Sequence, residues 1–249
     1  MKPFHSFLLF LLLGFGIQSQ TPTSSTEIGL LAGESYYLGE LNQQHFLPLN
    51  LGIGAFYQYN YNEYFGIKAA FNYGTIEGND NNISSSFSDV RQLNFSSKIF
   101  ELSISGTFNF IPYSYLNEKS SPFTPYGFIG FGYFMHAPKS NDGGTQTDLQ
   151  LQETEGKKYS RFQPSLPLGI GLKYRTGKFG FGFEWGIRKT FTDYLDDVSS
   201  YYHNESITIN SPQKTNVSDY QRGQINNKDW FVFTGITLFV NLTGKRVCP

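Results

Sequence analysis

LPLGIGLKYRTGKFGFGFEWGIRK, residues 166–189, is the stretch whose reading decides the fold. Before Thr176 and Gly177 the even positions are apolar: Leu166, Leu168, Ile170, Leu172 and Tyr174. Among the residues between them are Gly169, Gly171, Lys173 and Arg175. After the pair the odd positions are apolar: Phe179, Phe181, Phe183, Trp185 and Ile187. Between those lie Gly180, Gly182, Glu184, Gly186 and Arg188. Strict alternation is the period-2 signature of a strand with two unlike faces. Thr-Gly between two such runs reads as a tight hairpin turn.

Six further runs read as strands: 26–37, 51–61, 65–76, 99–110, 126–136 and 230–242. Ile28, Leu30 and Ala32 share a face of the first, although Leu31 breaks its pattern. Leu51, Ile53, Ala55, Tyr57 and Tyr59 share a face of the second. Phe65, Ile67, Ala69, Phe71 and Tyr73 do so in the third, and Phe100, Leu102, Ile104, Phe108 and Phe110 in the fourth. Runs 126–136 and 230–242 are apolar on both faces, which leaves their facing open.

The hairpin raises the count to eight strands, and the connections fall into two kinds. Links 60–63 and 176–177 are short, and 111–123 is of medium length. Links 38–49, 77–95, 137–161 and 190–229 are long and rich in Asn, Ser, Asp and Gln. Long structureless loops are uncommon in compact soluble domains. An even strand number, with short turns at one end and long polar loops at the other, predicts an all-β fold. It is an eight-stranded antiparallel transmembrane β-barrel with short periplasmic turns and long extracellular loops.

Lipid offers a backbone no hydrogen bonds, so a spanning sheet must close. The apolar face then meets acyl chains, and glycine with charge faces a narrow, side-chain-filled interior. The expected inward charges are Glu27, Lys68, Glu101, Lys173, Arg175, Glu184 and Arg188, a near-neutral set in which each charge needs a partner. Glu184 and Arg188 are expected to meet Lys173, Arg175 or Glu101. Tyr57, Tyr59, Tyr61, Phe65, Phe108, Phe110, Tyr174 and Phe179 fall near the short-turn ends as one aromatic girdle. A lipocalin-like soluble barrel would instead put apolar residues inside around a ligand. Glycine and opposed charges on one face, with large aromatics on the other, favour lipid outside.

Composition agrees. Aromatic residues make up 18% of the 249 residues and exceed the 16% that are charged, which suits β structure over helix. A net charge of −1 gives no footprint for nucleic acid. A single cysteine, Cys248, excludes a disulfide framework. At the N-terminus Lys2 precedes the apolar run 7–17, which is shorter than the about 20 residues of a spanning helix. It reads as a secretory signal peptide over 1–19, followed by one barrel domain over 20–249. Export through it puts the mature N-terminus in the periplasm, and an even strand count returns the C-terminus there. The chain is therefore expected in a bacterial outer membrane.

Three stretches hold residues that could carry chemistry. The glycines of GFIGFG (127–132) and GFGFEWG (180–186) lie within strands with no helix after them, unlike a dinucleotide loop. His45, His136 and His203 have no metal-ligand spacing. FTDYLDDVSSYYHN (191–204) offers Asp193, Asp196 and Asp197 as calcium ligands or acid–base groups. It lacks the glycine and distal Glu of a calcium loop and reads better as a structured loop root whose aspartates cap backbone NH groups. No catalytic residue, cofactor or metal is expected.

The segments FNYGTIEGND (71–80), IFELSISGTFNFIPY (99–113), FTPYGFIGFGYF (123–134), RFQPSLPLGIGLKYR (161–175), EWGIRKTFTDYLDDVSSYY (184–202) and NKDWFVFTGITL (227–238) resemble the PorG-like outer-membrane barrels of type IX protein secretion, the system tied to gliding motility. The resemblance spans nearly the whole mature chain. It implies a non-enzymatic accessory barrel that links a periplasmic ring, built of a lipoprotein and its partner, to the outer membrane. Unlike many such barrels the chain has a tail, 243–249, after the last strand, although Gly235, Leu238 and Val240 keep the spacing of an assembly signal. The alternative is a generic small barrel for envelope stability or adhesion; a loop-built enzyme is a third. A ring anchored from the periplasm touches only the short-turn end. There the medium link offers Tyr113 and Tyr115 beside Glu118 and Lys119, either as a docking patch of exposed aromatics or as a plain interfacial turn.

Overall fold

The computed structural model describes residues 24–83, 88, 91–117, 119–142, 145–153, 155–201, 221–223 and 228–243. The segment read as a signal peptide, 1–19, lies outside them, as do Glu118 and His203. Among the described residues nine strands form in chain order: β1 (Ser25–Leu38), β2 (Asn50–Asn60), β3 (Phe65–Asn79), β4 (Asn94–Asn109), β5 (Phe123–Asp142), β6 (Thr145–Asp148), β7 (Phe162–Thr176), β8 (Phe179–Thr190) and β9 (Trp230–Asn241). All neighbours are antiparallel, in the order β4-β3-β2-β1-β9-β8-β7-β5, and β4 pairs with β5 to close the ring at eight strands. β6 stands outside that count. It pairs only with the upper end of β5, where it takes over the edge that β7 leaves.

The expected strands are present, with β3, β4, β5 and β7 longer than the alternation marks. Most of their extra residues lie at the loop end, where partner strands still take up the backbone hydrogen bonds, and β5 also gains Phe123–Pro125 at the short-link end against β7. Short links and both barrel ends, Ser25 and Asn241, lie together at one end. The four long links lie at the other.

Facing follows the alternation. Ile170 is 62% exposed and Phe181 50%, and the other large residues assigned outward on β2, β3 and β4 are exposed with them, except Tyr73, which is half-buried. All eight girdle residues are exposed at the short-link end, joined by Tyr64 and Phe123. At the other end Lys98 and Lys189 mark where the apolar belt stops. A closed ring with an apolar belt outside, an aromatic girdle below it and charges inside is a bilayer-spanning, outer-membrane barrel. No helix among the described residues is long and apolar enough to cross a membrane.

The two strands of open facing resolve the opening stretch. β5 turns Tyr126, Phe128, Phe134 and His136 inward and Ile129, Phe131 and Tyr133 outward. β9 turns Phe231, Phe233 and Phe239 inward and Ile236 and Leu238 outward. The inward rings occupy the space over the glycines of β7 and β8. A Cβ on Gly171 would lie 2.5 Å from the Tyr126 ring, and one on Gly169 2.6 Å from Phe128. Gly180 likewise lies against Phe239. Glycine alternates with large residues because rings from the neighbouring strands fill its side of the wall.

The core is stratified. At the loop end an apolar layer of Tyr37, Leu41, Ile76, Phe95, Ile99, Phe134, Phe231 and Phe233 seals the interior. Leu195 and Val198, from the segment after β8, drop into it from above. Below it the interior is lined by charges and polar groups among the rings of Tyr126, Phe128 and Phe239.

Candidate functional site: a charged lumen closed at both ends

Six of the seven expected inward charges form three ion pairs, each between strands far apart around the ring. Lys68 Nζ on β3 lies 2.5 Å from Glu184 Oε2 on β8. Arg188 Nε on β8 lies 3.1 Å from Glu101 Oε2 on β4. Lys173 Nζ on β7 lies 3.8 Å from Glu27 Oε2 on β1. All six residues are buried. Glu184 is therefore not paired with Lys173 or Arg175, as expected from sequence, but with Lys68. β3 and β8 lie four steps apart in the eight-strand ring, so they face each other across the lumen. Only closure brings them together.

Neutral groups complete the shell. Tyr126 donates its hydroxyl to Glu184 Oε2 at 2.5 Å. Asn72 donates to Glu101 Oε2 at 2.9 Å, and Ser165 donates to Glu101 Oε1 at 3.3 Å. Lys68 Nζ also lies 4.3 Å from the centroid of the Phe128 ring, within cation–π range. Paired and hydrogen-bonded in this way, the Lys68–Glu184 and Arg188–Glu101 charges are tolerable, whereas Lys173 and Glu27 meet at 3.8 Å with no hydrogen bond to the ammonium among the described residues.

Arg175, the seventh, has a different role. Half-buried at the short-link end, it donates to the Ser120 carbonyl and to Ser120 Oγ, both at 3.0 Å, and so ties down the link between β4 and β5. Here the exposed-docking-patch expectation needs correction. Tyr113 is 1% exposed, tucked beneath the mouth with Lys173 Nζ 4.6 Å from its ring centroid. Tyr115 is half-buried, its hydroxyl 3.1 Å from that of Tyr113. Burial pushes both hydroxyls above the usual tyrosine range. Tyr113 N–H and Asn109 Nδ2 both donate to the Glu63 carbonyl, and Asn117 Nδ2 donates to Glu63 Oε1. The link thus folds back over the opening against the β2–β3 turn. Lys119 is exposed on the outer side, and Glu118 lies outside the described residues.

The loop end is closed by a polar roof above the apolar layer. Tyr37 bridges two carboxyls, 2.6 Å from Asp196 Oδ2 and 2.8 Å from Asp229 Oδ1. Of the three aspartates of the run, Asp196 caps a backbone N–H, that of Val198, while Asp193 accepts from Ser199 Oγ and Asp197 from Tyr159 and Arg222; Leu195 N–H is capped by the distant Asp229. Arg222 bridges Glu155 and Asp197, and Arg91 pairs with Asp80. One tyrosine hydroxyl carries one proton for two carboxyls. Burial pushes Asp196 up to about 7 and Asp229 well above the carboxylate range, the latter also through the Asp196 charge, while the Tyr37 hydrogen bond works against both shifts. Asp193 is raised by burial too. Sequence reasoning missed Asp229 and Glu155, which sit far from the aspartate run that flagged this region.

Among solved structures the chain is similar to Ail, the attachment invasion locus protein of Yersinia pestis, at 15% identity and a TM-score of 0.39, covering 87% of this chain and 97% of that one. It is similar to Neisserial surface protein A at 11% identity and a TM-score of 0.41, covering 88% and 96%. For OprG of Pseudomonas aeruginosa the values are 11%, 0.38, 87% and 93%. At such scores the fold rests on the strand pairing described above. No curated protein matches the chain. A family model does, over residues 3–248, and the chain belongs to that family, described as a domain of unknown function (DUF6089).

Proposed function

We propose that this outer-membrane barrel is a non-enzymatic anchoring component of type IX protein secretion, holding a periplasmic ring of a lipoprotein and its partner to the outer membrane. The reading begins from the resemblance to PorG-like barrels. One observation carries it further: the lumen is crossed by three ion pairs, sealed by an apolar layer at the loop end and covered by the Tyr113 link at the other. A barrel so filled offers no conduit for a polypeptide, which suits an anchor rather than a channel. The surface left for a periplasmic partner is the outer side of the β4–β5 link, where Lys119 is exposed. On this reading a leader over 1–19 delivers the chain to the periplasm and 20–249 form the mature barrel.

Deleting the gene should abolish export of type IX cargo while outer-membrane composition otherwise holds. The ring lipoprotein should co-purify with the barrel from mild detergent. Normal cargo export in the deletion strain would sink the proposal. The ordered roof favours a second reading, a small barrel that works at the cell surface in adhesion or envelope stability. Altered adhesion with normal export would support it.

A further inference from the structure

The roof gathers carboxylates from three distant segments. Glu40 follows β1, Asp193 follows β8, and Asp229 immediately precedes β9. One carboxylate oxygen of each lies within 4.8 Å of the other two. Proximity alone would mean little, but the setting adds to it. Asp193 is 2% exposed, and its Oδ1 is a buried acceptor without a hydrogen-bond donor, although Oδ2 accepts from Ser199 Oγ at 2.7 Å. A buried polar atom left unsatisfied is costly and calls for an explanation.

Arg91 donates to the Glu40 carbonyl and acts electrostatically on Glu40. Arg91 pairs with Asp80, and Arg222 with Glu155 and Asp197. No ion pair reaches Asp193 or Asp229 among the described residues; Lys228, exposed at the rim, acts on Asp193 from beyond ion-pair distance. Backbone also comes in close. A Cβ on Gly39 would lie 2.5 Å from Asp229 Oδ1, so the chain beside Glu40 leaves no room there for a side chain.

We propose that Glu40, Asp193 and Asp229 bind a divalent cation, with Ca²⁺ as the ion that fits. The set is all oxygen, with neither His nor Cys, which selects hard cations over zinc or copper. Three carboxylates from irregular segments suit the flexible coordination of Ca²⁺ better than the strict octahedron of Mg²⁺. The site faces the cell exterior, where extracellular modules bind Ca²⁺ at about 10⁻⁴–10⁻³ M. A bound ion would tie the loop after β1 to both ends of the long β8–β9 loop and fix the roof. The inference is independent of the secretion role.

The test uses the full chain, folded in detergent, stripped with EDTA and titrated with CaCl₂ by calorimetry. One ion per chain is expected. Affinity should fall at least ten-fold in Asp193→Asn and in Glu40→Gln, and stay unchanged in Glu153→Gln, which alters only an exposed pair with Lys158. Heat-dependent gel mobility checks that each variant is folded. Tb³⁺ bound to the native chain should show tyrosine-sensitised emission that Ca²⁺ displaces, because the Tyr37 hydroxyl bonds Asp229. Absence of Ca²⁺ uptake by the native chain overturns the proposal. So does undiminished uptake in the folded variants, or Tb³⁺ that binds without sensitisation.

Discussion

Lys68 and Glu184 are separated by 116 residues, yet they meet across the barrel at 2.5 Å, with the Tyr126 hydroxyl on the same carboxylate oxygen. Removing one partner leaves the other buried and charged, at a cost of about 3–5 kcal/mol. Glu184→Gln should therefore lower the urea midpoint of the folded barrel strongly. Glu153→Gln, in the exposed pair with Lys158, should shift it by less than about 1 kcal/mol. Equal losses in the two variants would mean that the lumen is solvated.

Ile170 points into the belt from the middle of β7. Arginine at bilayer mid-depth costs roughly 2–4 kcal/mol in a barrel. Ile170→Arg should impair folding into liposomes, measured as the heat-modifiable fraction. Ser103→Ala, on the lumen side of β4, should be milder. If both fold equally well, the facing is wrong.

Gly171 is bare because the Tyr126 ring lies over it. Gly171→Val would push that ring off Glu184, and overpacking of this kind typically costs about 1–3 kcal/mol. Combining it with Tyr126→Ala should recover part of the loss. A purely additive double variant would disconnect the glycine from the ring.

Tyr113 closes the lower mouth. Truncating a large buried aromatic to alanine costs roughly 3–5 kcal/mol, so Tyr113→Ala should destabilise the barrel where Lys119→Ala leaves it unchanged. In planar bilayers the native chain should be silent, and Tyr113→Ala should raise small-ion leakage. A native barrel that conducts freely would refute the closed lumen.

Orientation is open to labelling. A membrane-impermeant maleimide on intact cells should modify Gln146→Cys, exposed on β6, and spare Lys119→Cys on the β4–β5 link. The reverse pattern would put the roof in the periplasm and remove the basis for a ring at the Tyr113 end.

The sequence by itself determined the wall of this barrel. Alternation is a local property with period 2, so Ile170, Phe181 and Leu102 announce their facing wherever the strand goes, and link lengths announce which end is which. It also determined which charges turn inward, because glycine and charge share the face opposite lipid. It could not determine what those charges meet. The partners of Glu184, Arg188 and Lys173 depend on ring closure, which sets strands such as β3 and β8 opposite each other whatever their separation in sequence. Strands β5 and β9, apolar on both faces, carried no local signal at all. Their facing was decided by the space that the glycines of β7 and β8 leave for Tyr126, Phe128 and Phe239. The same holds for the two lids. Tyr113 reads locally as an exposed interfacial tyrosine, and Glu40, Asp193 and Asp229 as scattered loop acids. Only the folded chain brings Tyr113 over the Lys173 ammonium and the three acids to one point, because burial and electrostatic contact depend on distance in space and not along the chain.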